Sequence, residues 1–176
     1  DKVHRMVEAA CKDVANVSES AVEMNSGLQF YDGITSTEIQ NILIKSASDL
    51  ISLDSPNYQF VAARLLLFQV RKSVFNTKWK DSKIYPPLKD IVTRNINSNV
   101  YDEKLITYYS DEEWDKLDSY MKHDRDMLFT YAGLRQVVDK YLVQDRSSGQ
   151  LFESPQYMYM LIAAVLFKNY PTEKRL

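Results

Sequence analysis

Apolar residues recur at steps of three and four along most of the chain, the spacing that places them on one face of an α-helix. The first such segment predicts a helix over residues 2–14, with apolar positions at Val3, Met6, Val7, Ala10, Cys11 and Val14. Three more helices follow: a short one that ends near Gly27, one over 36–52, and a long one that ends near Phe75. We therefore expect residues 1–76 to form a four-helix bundle.

Capping residues predict where several helices begin. A hydroxyl side chain followed three residues later by glutamate forms a capping box. The pattern occurs at Ser20 with Glu23, at Thr35 with Glu38 and at Ser110 with Glu113. Ser55 followed by Pro56 predicts an N-cap and a proline at the first helical position of the fourth helix.

The second half of the chain predicts another helical module. The polar segment 76–87 ends in two prolines, which indicates a domain boundary. Beyond it the pattern predicts helices around 88–97 and 111–122, a segment at 102–109, a helix through Leu134, Val137, Val138 and Tyr141, and a last helix over Pro155–Phe167. Ser147-Ser148-Gly149 between two apolar stretches allows at most a small β-hairpin. The predicted fold is all-α, with domains 1–76 and 77–176.

Composition narrows the class of protein. Hydrophobic residues make up 45% and charged residues 26% of the 176 residues, as in a folded globular chain. The net charge of −2 argues against a nucleic-acid partner. The longest apolar run, 157–167, is too short for the roughly 20 residues that span a membrane. One cysteine, Cys11, excludes an internal disulfide and fits the cytoplasm. Because the chain begins at Asp1 without methionine, we expect a fragment of a longer protein.

The residues alone assign no reaction. The glycine-rich phosphate-binding motifs and the serine-nucleophile motif are absent, and His4 and His123 stand apart without metal-ligand spacing. We interpret both histidines as surface or capping residues and Cys11 as a core residue. The run 123–126 is either a polar site or an ion-pair cluster between helices, and we favour the cluster. The Tyr- and Met-rich last helix is interpreted as a core stripe, with a partner-binding face as the alternative.

Several stretches resemble a known family. The chain is similar to the ATP-cone domain of class I ribonucleotide reductases at Phe30–Ile34, Leu43–Ser52 and Tyr58–Leu65. It resembles the helical segment that follows the cone in the large subunit at His123–Met127, Lys140–Arg146, Glu153–Gln156 and in the final residues 169–176. The resemblance covers nearly the whole chain in family order.

The resemblance implies a regulatory role. The whole enzyme reduces ribonucleoside diphosphates for DNA synthesis, with a radical delivered by a metal-containing small subunit. The cone is its activity switch: ATP keeps the enzyme on and dATP turns it off, as allosteric effectors that magnesium can accompany. The implied partners are the catalytic barrel of the same subunit, the small subunit and further copies in a homo-oligomer.

The resemblance also implies effector-site residues. Lys2 and Lys72 match phosphate-binding positions, Val3 and Phe68 match apolar positions around the base, and Ser36 matches a hydroxyl position, while Gln40 stands where the family often has histidine. Gln69 is a second such substitution. The β-strands that cover the cone in the family are expected to precede Asp1. No catalytic or metal-binding residue is implied, since the radical and redox cysteines belong to the barrel.

Two alternatives stay open beside this interpretation. The chain could be a nucleotide-sensing regulator without reductase activity, although such a protein has no reason to keep the family's order of stretches in 100–176. It could instead be a purely structural segment whose cone binds no nucleotide, which the substitutions Gln40 and Gln69 favour.

Overall fold

The computed structural model describes residues 2–76, 85–171 and 174. Within these ranges the elements are α1 (Lys2–Cys11), α2 (Glu19–Gly27), α3 (Ser36–Asp49), α4 (Tyr58–Phe75), α5 (Leu88–Asn97), a 3₁₀ helix (Glu103–Tyr108), α6 (Asp111–Tyr120), a 3₁₀ helix (His123–Leu128), α7 (Tyr131–Lys140) and α8 (Pro155–Phe167). The predicted all-α fold is confirmed, since these ranges hold no β-strand. Most of the predicted linker, 77–84, lies outside the described residues.

The segment that could form a hairpin is a tight turn. A single antiparallel bridge joins Gln144 to Leu151. Inside it, the backbone N–H of Asp145 donates to the carbonyl of Gln150 at 2.9 Å. Gly149 has a φ of +74°, a conformation that glycine adopts without steric cost. The expectation of at most a small hairpin is confirmed.

Two of the three predicted capping boxes are present. In α3 the Thr35 hydroxyl accepts from the backbone N–H of Glu38, and the Glu38 carboxylate accepts from the Thr35 backbone. Ser110 and Glu113 form the same reciprocal pair at the start of α6. Each pair satisfies donors that the first helical turn leaves unpaired.

The third predicted capping box is wrong. The N-cap of α2 is Ser18, whose side chain accepts from the backbone N–H of Ala21, so Ser20 lies inside the helix. The reason is a long-range contact. The backbone N–H of Ser18 donates to the hydroxyl of Tyr58 at 2.9 Å, which holds Ser18 in extended geometry at the helix start.

Other helix ends also differ from the prediction, and α3 ends at Asp49, three residues before the predicted 52. Helix α4 begins at Tyr58, because Pro56 and Asn57 form a turn in which the Pro56 carbonyl accepts from the N–H of Gln59 at 3.2 Å. Helix α1 ends at Cys11, three residues early. Asp13 has a left-handed φ of +59°, which a continuing helix cannot accommodate.

The described structure divides into two compact units. The first contains residues 1–70 and 124–141, and the second contains 71–123 and 142–176. The predicted domains 1–76 and 77–176 follow the chain, whereas each unit combines separated stretches of it. The domain boundaries therefore stay a prediction.

The first unit contains α1, α2, α3, α7 and most of α4. Its interior is aliphatic, and its largest fully buried side chains are Val7, Val22, Leu43, Val61, Leu65, Leu66, Leu67 and Leu134. Arg64 adds a polar connection: its guanidinium donates to the carbonyls of Ala10 and Lys12 at the end of α1. These carbonyls would otherwise lack partners in the last turn of the helix.

The second unit has a more aromatic core. Trp114 and Tyr157 are fully buried among aliphatic side chains of α5 and α8, and the Trp114 indole N–H donates to the Ile106 carbonyl at 3.3 Å. The predicted core stripe of α8 is confirmed at Tyr157 and wrong at Tyr159, which is 47% exposed. Among the described residues, no helix is both long and apolar enough to cross a membrane.

Candidate functional site

Helices α1 and α4 run antiparallel. At the start of α4, the Tyr58 hydroxyl accepts from the backbone of Ser18, which follows α1. Further along α4, the guanidinium of Arg64 donates to the carbonyl of Ala10, near the end of α1, at 3.2 Å. Later residues of α4 thus contact earlier residues of the segment that contains α1. The amino end of α1 therefore lies toward the carboxyl half of α4.

Three of the predicted site residues lie in these parts of α1 and α4. Lys2 and Val3 occupy the first turn of α1, and Phe68 lies one turn beyond Arg64 in α4. The Lys2 side chain is exposed, Val3 is partly buried, and Phe68 is buried.

Helix α3 reaches the same part of α4. The side-chain amide of Gln69 donates to the side-chain oxygen of Asn41 at 2.7 Å. Asn41 lies in the second turn of α3, next to Gln40 and five residues after Ser36, which is about 7.5 Å along a helix. Ser36 is exposed, whereas Gln40 is buried.

The sixth predicted residue, Lys72, belongs to the second compact unit, which begins at residue 71. It lies in the last turn of α4, one turn beyond Phe68, and its side chain is partly buried.

An open pocket of about 460 Å³ lies at the amino end of α1, bordered by α2, the loop before α3, and α3. Its lining combines apolar with polar side chains: Val3, Phe30, Ile34 and Ile39, with His4, Glu23 and Ser26. A mostly apolar wall with a few polar groups is typical of small-molecule sites. Of the six predicted residues, Val3 lines this pocket.

A polar pair that could not be predicted from local sequence lies in the lining of this pocket. Nδ1 of His4 lies 2.8 Å from Oε1 of Glu23, which joins α1 to α2. His4 is exposed, in agreement with its interpretation as a surface residue, and its pairing with Glu23 is not visible in the sequence because the two residues are 19 positions apart. The place of His4 beside Val3 was the available signal, since Val3 was already assigned to the site.

Cys11 lies in the core of the first unit. It is a free thiol and 6% exposed. Burial raises the pKa of the Cys11 thiol to about 11, with Glu19 contributing in the same direction. A thiol that stays protonated at neutral pH is a poor nucleophile, so the interpretation of Cys11 as a core residue is confirmed.

Two known domains match this chain. The ATP cone domain matches residues 1–73, and the all-alpha domain of ribonucleotide reductase matches residues 127–175. An ATP cone implies the binding of a nucleotide effector. Their succession along one chain is the organisation found at the amino-terminal end of a ribonucleotide reductase large subunit.

Curated relatives give the same answer. The chain is 45% identical to the ribonucleoside-diphosphate reductase 1 subunit alpha of Escherichia coli over 177 aligned positions, which cover 100% of this chain and 22% of the relative. It is 45% identical to the alpha subunit of Haemophilus influenzae, covering 100% of this chain and 23% of the relative. For the alpha subunit of Enterobacteria phage T4 the identity is 42%, over 81% of this chain and 18% of the relative.

The chain therefore corresponds to the amino-terminal ATP-cone region of ribonucleoside-diphosphate reductase alpha subunits. It spans about a fifth of the length of the relatives it matches. The relatives are subunits of an enzyme, and this chain contains one cysteine, Cys11, in its cone region.

Proposed function

We propose that this chain is the nucleotide-sensing segment of a ribonucleoside-diphosphate reductase large subunit, in which ATP keeps the enzyme on and dATP turns it off. One observation supports the proposal: α1 and α3, which carry Lys2, Val3, Ser36 and Gln40, and the part of α4 that carries Phe68 belong to one compact unit, and Val3 lines its open pocket. These residues are widely separated in sequence, and an ATP cone matches the whole region.

The proposal gives each side chain a role. Lys2 and Lys72 bind the triphosphate through charge-assisted hydrogen bonds. Ser36 adds a hydroxyl at the start of α3, where the helix dipole favours an anion. Val3 and Phe68 provide apolar contacts to the base, and Gln40 offers a neutral hydrogen-bonding group where the family often has histidine.

Calorimetric titration of dATP and then ATP, each with magnesium, into the 176-residue chain tests the proposal. We expect saturable binding that weakens about tenfold or more in Lys2→Ala and in Lys72→Ala, because a hydrogen bond to a charged group contributes about 1.5–3 kcal/mol. Lys45→Ala is the matched control, since Lys45 pairs with Asp49 on α3 at 2.5 Å.

The two possible failures differ in meaning. Heats no larger than those of dilution would contradict nucleotide sensing by this chain and favour the structural alternative. Binding that Lys2→Ala and Lys72→Ala leave unchanged would keep the nucleotide function but contradict the residue assignment.

The reduction of ribonucleoside diphosphates belongs to the proposed whole protein. Its partners are the rest of the large subunit, a metal-containing small subunit that supplies the radical, and further copies of the large subunit. We place this activity in the cytoplasm, in keeping with the free thiol of Cys11. The exposed apolar side of α8 supports contact with the rest of the subunit, because most of each relative lies outside the matched region.

A further inference from the structure

The loop between α2 and α3 forms one wall of the pocket. Phe30 and Ile34 from this loop line the pocket. Between them, Gly33 adopts a φ of +88°, which a residue with a side chain rarely adopts. The backbone N–H of Ile34 donates to the carbonyl of Tyr31 at 3.3 Å, which closes the turn.

A single carboxylate connects this loop to the first turn of α3. Oε2 of Glu38 accepts from the backbone N–H of Thr35 at 2.8 Å and from its hydroxyl at 2.6 Å. Oε1 of the same carboxylate accepts from the Tyr31 hydroxyl at 2.9 Å. Glu38 therefore caps α3 with one oxygen and holds the loop with the other.

Burial does not explain the position of Tyr31. Its side chain is 57% exposed, so its hydroxyl bond to Glu38 is the specific contact that orients it. Hydrogen bonds from Thr35, and then the one from Tyr31, keep the pKa of Glu38 below its usual value. The acceptor is consequently ionised at neutral pH, and hydrogen bonds to an ionised acceptor are stronger than neutral ones.

Resting on the proposed function, we propose that Tyr31 is a positioning residue of the effector site. Through Glu38 it fixes the loop that carries Phe30 and Ile34 against the start of α3, where Ser36 lies. A nucleoside triphosphate then meets a preformed wall and does not have to order the loop on binding. Without the Tyr31 hydroxyl, part of the binding free energy is spent on that ordering.

Tyr31→Phe removes only the hydroxyl and tests this role. We expect the dissociation constant for dATP, measured by calorimetry on the full chain, to rise about three- to tenfold, the usual effect of one lost hydrogen bond. The melting temperature should change little, because the capping box of Thr35 and Glu38 remains. Amide exchange at Ile34 should accelerate while exchange in the α4 core stays the same.

Tyr141→Phe is the matched control, since Tyr141 lies in the same unit, is 59% exposed, and shows no side-chain hydrogen bond within the described ranges. If the parent chain binds dATP and Tyr31→Phe binds it equally well, the positioning role is wrong and the proposed function stands. Loss of melting temperature in step with affinity would make Tyr31 merely structural and would also overturn the inference. Failure of the parent chain to bind dATP would overturn both proposals.

Discussion

At the scale of single residues, the second unit contains a buried carboxylate that is held by specific donors. Glu153 is 3% exposed and accepts hydrogen bonds from the Tyr101 hydroxyl and from the backbone N–H of Val143, the latter at 3.0 Å. Burial raises the pKa of Glu153, while these two hydrogen bonds oppose the rise. These donors offset part of the cost of burying the carboxyl group.

Tyr101→Phe removes one of these donors. We expect the free energy of unfolding at pH 7 to fall by about 1–3 kcal/mol, the usual cost of leaving a buried polar group without its partner. A raised folded-state pKa means that the folded protein binds this proton more tightly than the unfolded chain. Stability linked to Glu153 is therefore present below its ordinary pKa and is lost as pH rises through the raised value.

The Tyr101 hydroxyl lowers the pKa of Glu153, so it stabilises the ionised form more than the protonated one. The loss in Tyr101→Phe should therefore be smaller at pH 4, below the ordinary pKa, than at pH 7, as measured by urea denaturation at both pH values. Tyr120→Phe serves as the control, because Tyr120 is 50% exposed and surface changes usually stay within about 0.5 kcal/mol. An equal loss at both pH values would show that ionisation of Glu153 plays no part.

At the scale of elements, local sequence predicted helix ends well where the cap lies within one turn. The capping boxes of Thr35 and Ser110 are such cases, because both partners are three residues apart in the chain. Helix α8 has the predicted bounds, with Pro155 at its first position. The start of α2 could not be predicted in this way, because both Ser18 and Ser20 are suitable N-caps. The hydrogen bond from Ser18 to Tyr58, 40 residues away, selects Ser18.

Thr35→Ala removes the N-cap of α3. We expect the free energy of unfolding to fall by about 1 kcal/mol, within the range measured for such caps. Thr37→Ala is the matched control, because Thr37 is exposed inside α3, where alanine is the better helix former. Urea denaturation that ranks the two variants equally would contradict the capping role.

At the scale of the whole molecule, α8 has two unlike sides. Tyr157, Met158, Leu161 and Ala164 are buried in the second unit. The other side exposes large apolar side chains at Tyr159, Ile162, Val165, Leu166 and Phe167. Several exposed apolar side chains on one helix usually mark an interface. We expect this side of α8 to contact the rest of the large subunit, since most of each relative lies beyond the matched region.

In the absence of that partner, we expect the chain to self-associate through α8 and to bind a hydrophobic dye. Ile162→Lys combined with Leu166→Lys should weaken the association about tenfold or more, because an interface pays several kcal/mol to bury an unpaired charge. Analytical ultracentrifugation measures the effect. Leu53→Lys is the control, since Leu53 is fully exposed at 101% and lies outside α8. A parent chain that sediments as a monomer and binds no dye would contradict the prediction.

The sequence by itself determined the helical class, most helix positions and the family, because each depends on residues that are close together or on stretches read in order. Cys11 and Tyr157 were assigned to the core from their helical spacing alone.

Tertiary structure decided what depends on the register between helices. The pairing of His4 with Glu23, the approach of Asn41 to Gln69 and the link from Tyr31 to Glu38 at the pocket wall join different elements or a loop to a helix. Helix α7 likewise belongs to the first unit, although residues 71–123, which precede it in the chain, belong to the second unit. Periodicity specifies which face of a helix is apolar, but it does not specify which helix that face meets, because packing partners are chosen by shape in three dimensions.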